Sequence, residues 1–295
     1  MGKGITRERS GYLQQELLKL LVSNPDGMQA KVAIDSLANT IALTDHEKGE
    51  YENGGRRFDK ILRFASIGPV KAGWLTKNKG IWSITETGEE ALKNFPNSEN
   101  FYQEANRLYS QWRRAQPDRE EEILDDPTQE HDATITYEEA EEQAWKEIAD
   151  YLENIDPYYL QDLVAALLEA MGYYVSWVSP PGKDAGLDIV AHTDPLGTKA
   201  PRIKVQVKRR KDNIGVEELR SFLALINEDD VGIYVTTGSY SKDASLLARQ
   251  QERRRVTLID RTRLVELWIE YYAKLSDEKK KALPLKPIYF LAPND

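Results

Sequence analysis

At 295 residues, with no cysteine and three histidines, the chain is long enough for two ordinary domains but excludes a disulfide framework, a thiolate zinc site, a cysteine nucleophile and a histidine-rich metal centre. No apolar run approaches the roughly 18 residues that span a bilayer, and the start, Met1 to Arg9, leads into no apolar signal core, so a cytoplasmic protein with no membrane partner is expected. The net charge of −9 is concentrated: residues 118–150 hold 14 acids against two bases, a local −12 that leaves the remainder at +3, so a polyanionic partner is not excluded.

Residues 1–95 form the first expected domain. Leu13, Leu17, Leu18, Leu20 and Leu21 recur at helical spacing, and Asn24-Pro25-Asp26-Gly27 stops that helix. A second helix is predicted over 31–39, with Val32, Ile34, Leu37 and Ala38 inward. A third begins behind Gly54-Gly55, carries Phe58, Ile61, Leu62 and Ala65 at core spacing, and stalls near Gly68-Pro69. Trp74-Leu75-Thr76, a turn at Lys77-Asn78-Lys79-Gly80, and Ile81-Trp82-Ser83-Ile84-Thr85 read as a short hairpin. Three helices closed by a hairpin make the mainly α winged-helix plan, in which the third helix enters the major groove and the hairpin straddles backbone. Arg56, Arg57, Lys60 and Arg63 surround the apolar stripe of that helix, and Lys77 and Lys79 lie at the wing; these six are the candidate DNA contacts. Trp74 and Trp82 are expected in the core.

Residues 96–150 form a helical and acidic connector: a helix over 100–115 with Leu108 and Trp112 on one side, a solvated acidic tract to about Ala133, and a new helix at Thr136, capped with Glu139 at its third position. The second domain is placed at 151–275, with a tail at 276–295. Its first helix carries Leu160, Leu163, Val164, Leu167, Leu168 and Met171, and Gly172 ends it. Strands follow at 173–178, 188–191, 202–208, 231–236 and 256–259, with helices at 216–226, 242–251 and 264–272, which is an α/β fold built on a mixed sheet.

The chemistry concentrates in two strands. Alternation sends Ile203, Val205 and Val207 one way and Lys204, Gln206 and Lys208 the other. If the strands fold back about Asp194-Pro195-Leu196-Gly197-Thr198, Asp188 lands opposite the Gln206–Lys208 end. Magnesium takes hard oxygen ligands and keeps several waters. Asp188 offers an anionic ligand, Gln206 a neutral oxygen and the Val207 carbonyl a third. Lys208 is placed to orient an attacking water or offset charge on a phosphorane, so the grouping suits phosphodiester hydrolysis. The basic run continues through Arg209, Arg210 and Lys211, and Arg209 and Arg210 are further candidate phosphate contacts.

These residues carry a family resemblance. From about Leu160 to Leu267, through Leu163-Val164-Ala165-Ala166-Leu167-Leu168, Met171-Gly172-Tyr173, Lys183-Asp184-Ala185-Gly186-Leu187-Asp188, Val205-Gln206-Val207-Lys208 and Tyr234-Val235-Thr236-Thr237-Gly238, the chain resembles the Mrr-type branch of the PD-(D/E)XK nucleases. Phe58 to Ala72 and Gly80 to Gly88 resemble the winged helix found at the N-terminus of Mrr restriction proteins. The resemblance implies an α/β restriction-endonuclease-like catalytic domain that cleaves modified or foreign DNA with magnesium, manganese being the alternative. It gives the catalytic roles to Asp188, Gln206 and Lys208, and cutting both strands implies a homodimer or higher homo-oligomer. Relatives often place a glutamate near the start of the first helix, where this chain has Gln161 followed by Asp162; Asp162 is its candidate replacement. Two rival readings remain open: a DNA-binding regulator or scaffold with an inert nuclease fold, and a nuclease effector activated by a protein partner in an antiviral defence system.

Overall fold

The computed structural model describes residues 5–51, 55–114, 127–182 and 186–288, the side chains of 113–114 and 127–136 excepted. The chain divides into two units, Met1–Lys146 and Glu147–Tyr289. Among the described residues no helix is long and apolar enough to cross a membrane.

In the first unit, α1 (Arg7–Val22) starts at Thr6, whose hydroxyl accepts from the Arg9 amide at 3.2 Å, and it buries Leu13, Leu17, Leu18 and Leu21. After β1 (Met28–Gln29), α2 (Ala30–Thr40) buries Ala30, Ala33, Ile34 and Leu37. Val32, expected inward, is 50% exposed, because the buried stripe falls on the 30/33/34/37 phase of the helix. Helix α3 (Arg57–Lys71) passes through Pro69 and does not stall there. A proline in that position cannot donate to the carbonyl four residues back. The orphaned acceptor, the Ala65 carbonyl, takes a hydrogen bond from Gln14 Nε2 at 2.9 Å, a partner 51 residues away.

Strands β2 (Leu75–Asn78) and β3 (Ile81–Ile84) pair antiparallel, with β1 on the other side of β3. The two residues of their turn, Lys79 and Gly80, have φ of 52° and 76°, the double positive φ that matches strand twist in a two-residue hairpin. Helix α4 (Glu86–Asn94) is capped by Thr85. Helix α5 (Ser98–Arg114) lies in the span expected as connector but packs onto this unit, burying Phe101 and Ala105 beside Leu18 and Trp74. A Cβ on Gly11 would sit 1.8 Å from the Ser98 carbonyl oxygen, so the approach of α1 to α5 requires glycine there. Trp74 and Trp82 are buried, as expected of core. Helix α6 (Pro127–Asn154) begins nine residues before the predicted start at Thr136, at a proline, whose fixed φ and absent N–H suit the first turn of a helix. Of the tract expected as a solvated linker, residues 127–133 belong to this helix, and residues 115–126 lie outside the described residues.

In the second unit, α7 (Pro157–Ala170) is capped by Asp156, which accepts from the Tyr158 and Tyr159 amides. It buries Leu160, Leu163, Val164, Leu167 and Leu168, each contributing about 1.5–3 kcal/mol of burial. Then come β4 (Tyr174–Val178), β5 (Ile189–His192), β6 (Arg202–Lys208), α8 (Val216–Leu223), β7 (Asp230–Thr236), α9 (Lys242–Arg249), β8 (Arg255–Ile259) and α10 (Arg261–Tyr271). The sheet runs β4-β5-β6-β7-β8, antiparallel from β4 to β6 and parallel from β6 to β8. Helices α7 and α10 cover one face and α8 and α9 the other, so the central strand β6 is buried on both sides. The span expected as a tail is partly integral: after the short α11 (Asp277–Lys280), Ala282 and Leu283 are buried, and their carbonyls accept from Tyr151 Oη and Trp268 Nε1, each at 2.9 Å.

Candidate active site

Asp188 lies one residue before β5, and the antiparallel register, with Ile189 opposite Val205, sets it across from Gln206. Its side chain is 1% exposed. One carboxylate oxygen accepts from the Val207 amide at 2.7 Å, so it takes the place of a ladder carbonyl where the two strands part. The other accepts from Gln161 Nε2 of α7 at 2.8 Å. The carboxylate thus sits on the backbone between Gln206 and Lys208. Gln206 is buried, with its amide nitrogen 3.8 Å from where a Cβ on Gly186 would stand, and Lys208, two residues on and of the same strand parity, is half-buried. Residues 183–185, part of the Lys183–Asp188 motif, lie outside the described residues.

Lys204 shares that parity but has a different task. Its ammonium contacts Asp230 at 2.8 Å and the Leu225 carbonyl at 2.6 Å, and Arg202 closes the other side of Asp230 at 3.1 Å. Burial pushes the Asp230 carboxyl up, but Lys204 and Arg202 outweigh it and hold the group below the usual carboxylate range. Tyr234, in register with Gln206, is pushed up to about 12 by burial, so it remains a neutral phenol at ordinary pH and is no base.

Gln161, not Asp162, faces the carboxylate. Consecutive helical residues are about 100° apart, and Asp162 is exposed, lining a surface depression with Tyr159, Val175 and Lys279. Gln161 is 6% exposed, and its Oε1 is buried without a hydrogen-bond partner. An unsatisfied oxygen beside a buried carboxylate fits a cation or its bound water. Among the described residues no three His, Cys, Asp or Glu side chains gather, so an ion here would need neutral oxygens beside Asp188. Gln161→Leu is expected to lower cleavage by about 10- to 100-fold, as loss of an outer-shell partner does, and to raise the metal concentration for half-maximal rate. A metal titration with unchanged midpoint would reduce Gln161 to packing.

A family model described as restriction endonuclease, the Mrr catalytic domain, matches residues 152–268, and one for the Mrr N-terminal domain matches residues 12–94. The chain carries an Mrr N-terminal domain and an Mrr catalytic domain. No curated protein matches it. Among solved structures it is similar to the DNA modification-dependent restriction endonuclease AspBHI, at 15% identity and a TM-score of 0.37, over 46% of this chain and 38% of that one. It is also similar to the MspJI restriction endonuclease in complex with a 27-mer oligonucleotide, at 13% identity and a TM-score of 0.37, over 69% of this chain and 52% of that one. The chain thus spans 38% and 52% of the length of these two proteins, a likeness too loose to bear on site or substrate.

The Mrr N-terminal domain distributes its six candidate contacts unevenly. Arg56 pairs with Asp35 and Asp59, Arg57 lies over the Tyr51 ring, and Lys60 lies over Tyr51 and Phe64. Arg63, expected as a DNA contact, is 4% exposed beneath Glu142 of α6. Lys77 is bound by both oxygens of Glu138, and burial pulls its ammonium down while Glu138 opposes the shift. Lys79 packs over Trp145 at 4.8 Å. In the Mrr catalytic domain, Arg209 donates to the Ile155 carbonyl at 3.1 Å and Arg210 pairs with Glu218, so both basic side chains are tied to their own fold.

Proposed function

We propose that the chain is a magnesium-dependent endodeoxyribonuclease of restriction type, whose second unit hydrolyses phosphodiester bonds in modified or foreign DNA. The observation that carries this reading is the Asp188 carboxylate seated on the Val207 amide between Gln206 and Lys208. Asp188, the Gln206 amide oxygen and the Val207 carbonyl would hold the ion, with manganese as a substitute. When bound, the ion supplies Lewis acidity and lowers the pKa of a coordinated water. Gln161 fixes one oxygen of Asp188 and the Val207 amide the other, so the acid cannot rotate away from the strand. Lys208 orients the attacking water and offsets charge as the phosphorus–oxygen bond to the leaving group breaks. Positioning dominates phosphoryl transfer, and side chains on paired strands supply it. One centre per chain cuts one strand, so double-strand cleavage takes two copies.

The test is incubation of plasmids from methylating and non-methylating hosts with and without magnesium. The expected result is metal-dependent nicking or linearisation that Lys208→Ala abolishes while the melting curve is retained. Undiminished cleavage by Lys208→Ala would refute the assignment, and binding without cleavage of any modified, supercoiled or branched DNA would favour an inert fold.

A further inference from the structure

The first unit contains an anion cradle that its own acids fill. Glu138 and Glu142 are one helical turn apart on α6 and face the same way. Glu142 places one oxygen on Arg63 of α3 at 2.6 Å and the other on the backbone amide of Lys31, at the start of α2, at 2.9 Å. Helix α2 has no side-chain cap of its own, so this carboxylate satisfies its N-terminus. An arginine plus a helix N-terminus is how proteins hold a phosphate. Glu138 takes Lys77 of the wing with both oxygens, at 2.9 and 2.8 Å. The guanidinium of Arg63 and the ammonium of Lys77 lie over the same Trp82 ring, at 5.6 and 4.6 Å.

The fit is incomplete. Arg63 is buried, yet its Nε and Nη1 make no hydrogen bond, although Glu139 and Glu138 carboxylates lie 3.4 and 3.8 Å from them. A guanidinium with fixed, forked donors is better served by a phosphate or a base edge than by this helix. Buried donors left unsatisfied weaken the closed state relative to one with a matching ligand.

We propose that the cradle formed by the α2 N-terminus, Arg63 and Lys77 is a DNA-contacting surface, and that Glu138, Glu139 and Glu142 occupy it as phosphate substitutes until duplex DNA displaces them. This deepens the restriction-nuclease reading and rests on it for the choice of DNA as partner. Apparent affinity is then the intrinsic affinity multiplied by the fraction of molecules in which α6 is lifted.

The experiment measures duplex binding by the full chain in the absence of divalent ions, so failure of the nuclease reading leaves it intact. Glu138→Gln with Glu142→Gln should bind roughly 10-fold more tightly or better, and adding Arg63→Ala should remove that gain. A folded double variant with wild-type affinity overturns the proposal and makes the acids a structural clamp. Should the double variant melt, a second design decides. Glu138→Gln alone releases Lys77 while Glu142 stays on Arg63 and on the Lys31 amide. Folded, that single variant should bind duplex about 3-fold more tightly than wild type; wild-type affinity overturns the proposal.

Discussion

Asp188→Asn is expected to cut metal-dependent cleavage by about 10³-fold or more while leaving the protein folded. The substitution removes the buried carboxylate of the proposed metal site. It also replaces one accepting oxygen by an NH2 group. Both oxygens of Asp188 accept hydrogen bonds, from Gln161 and from the Val207 amide, so the variant leaves one buried donor facing another. That mismatch costs about 1–3 kcal/mol, a loss that a domain of this size tolerates. Single-turnover cleavage at saturating enzyme, together with a urea melt, separates the two effects. Cleavage within tenfold of wild type would mean that Asp188 is not the anionic ligand.

Lys204→Met should have the largest effect on stability, about 3–5 kcal/mol, because it strands a buried carboxylate. Asp230 would keep only Arg202, itself half exposed, and the Asn227 amide. The pH dependence has a definite sign. A carboxyl held below its unfolded value contributes stability above the ordinary carboxylate range and loses it as pH falls through the folded value. The gap between wild type and variant should therefore be full at neutral pH and shrink in acid, where Asp230 takes up a proton. Urea denaturation at both pH values checks this, and pairing the change with Asp230→Leu should recover most of the loss. A single variant as stable as the wild type would show that the pair adds nothing to the fold.

Much of the Mrr catalytic domain was legible because its signals are local. Strand β6 was readable to the residue, since a seven-residue run of alternating apolar and polar side chains admits one register. The pairing of Asp188 with Gln206 followed from a turn and a period of two. What stayed hidden depends on partners distant in sequence. Lys204 has the same parity as Lys208, and only Asp230, 26 positions away, marks it as structural. The choice between Gln161 and Asp162 required the rotational phase of α7 against the sheet, which helical spacing alone leaves open. Pro69 looked like a stop because the donor that replaces its N–H is on α1. The contacts of the α6 glutamates with Arg63 and Lys77 were not legible, because acids one turn apart have the same pattern whether water or a cation faces them.

The bond from the Val207 amide to Asp188 places the acid proposed to hold the ion inside the weave of the sheet. A side chain that doubles as a rung of the ladder cannot be freed by rotamer exchange without opening the rung beneath it. Heat should therefore extinguish turnover and unzip the central strands in one cooperative event, with no intervening range in which an intact but idle enzyme accumulates.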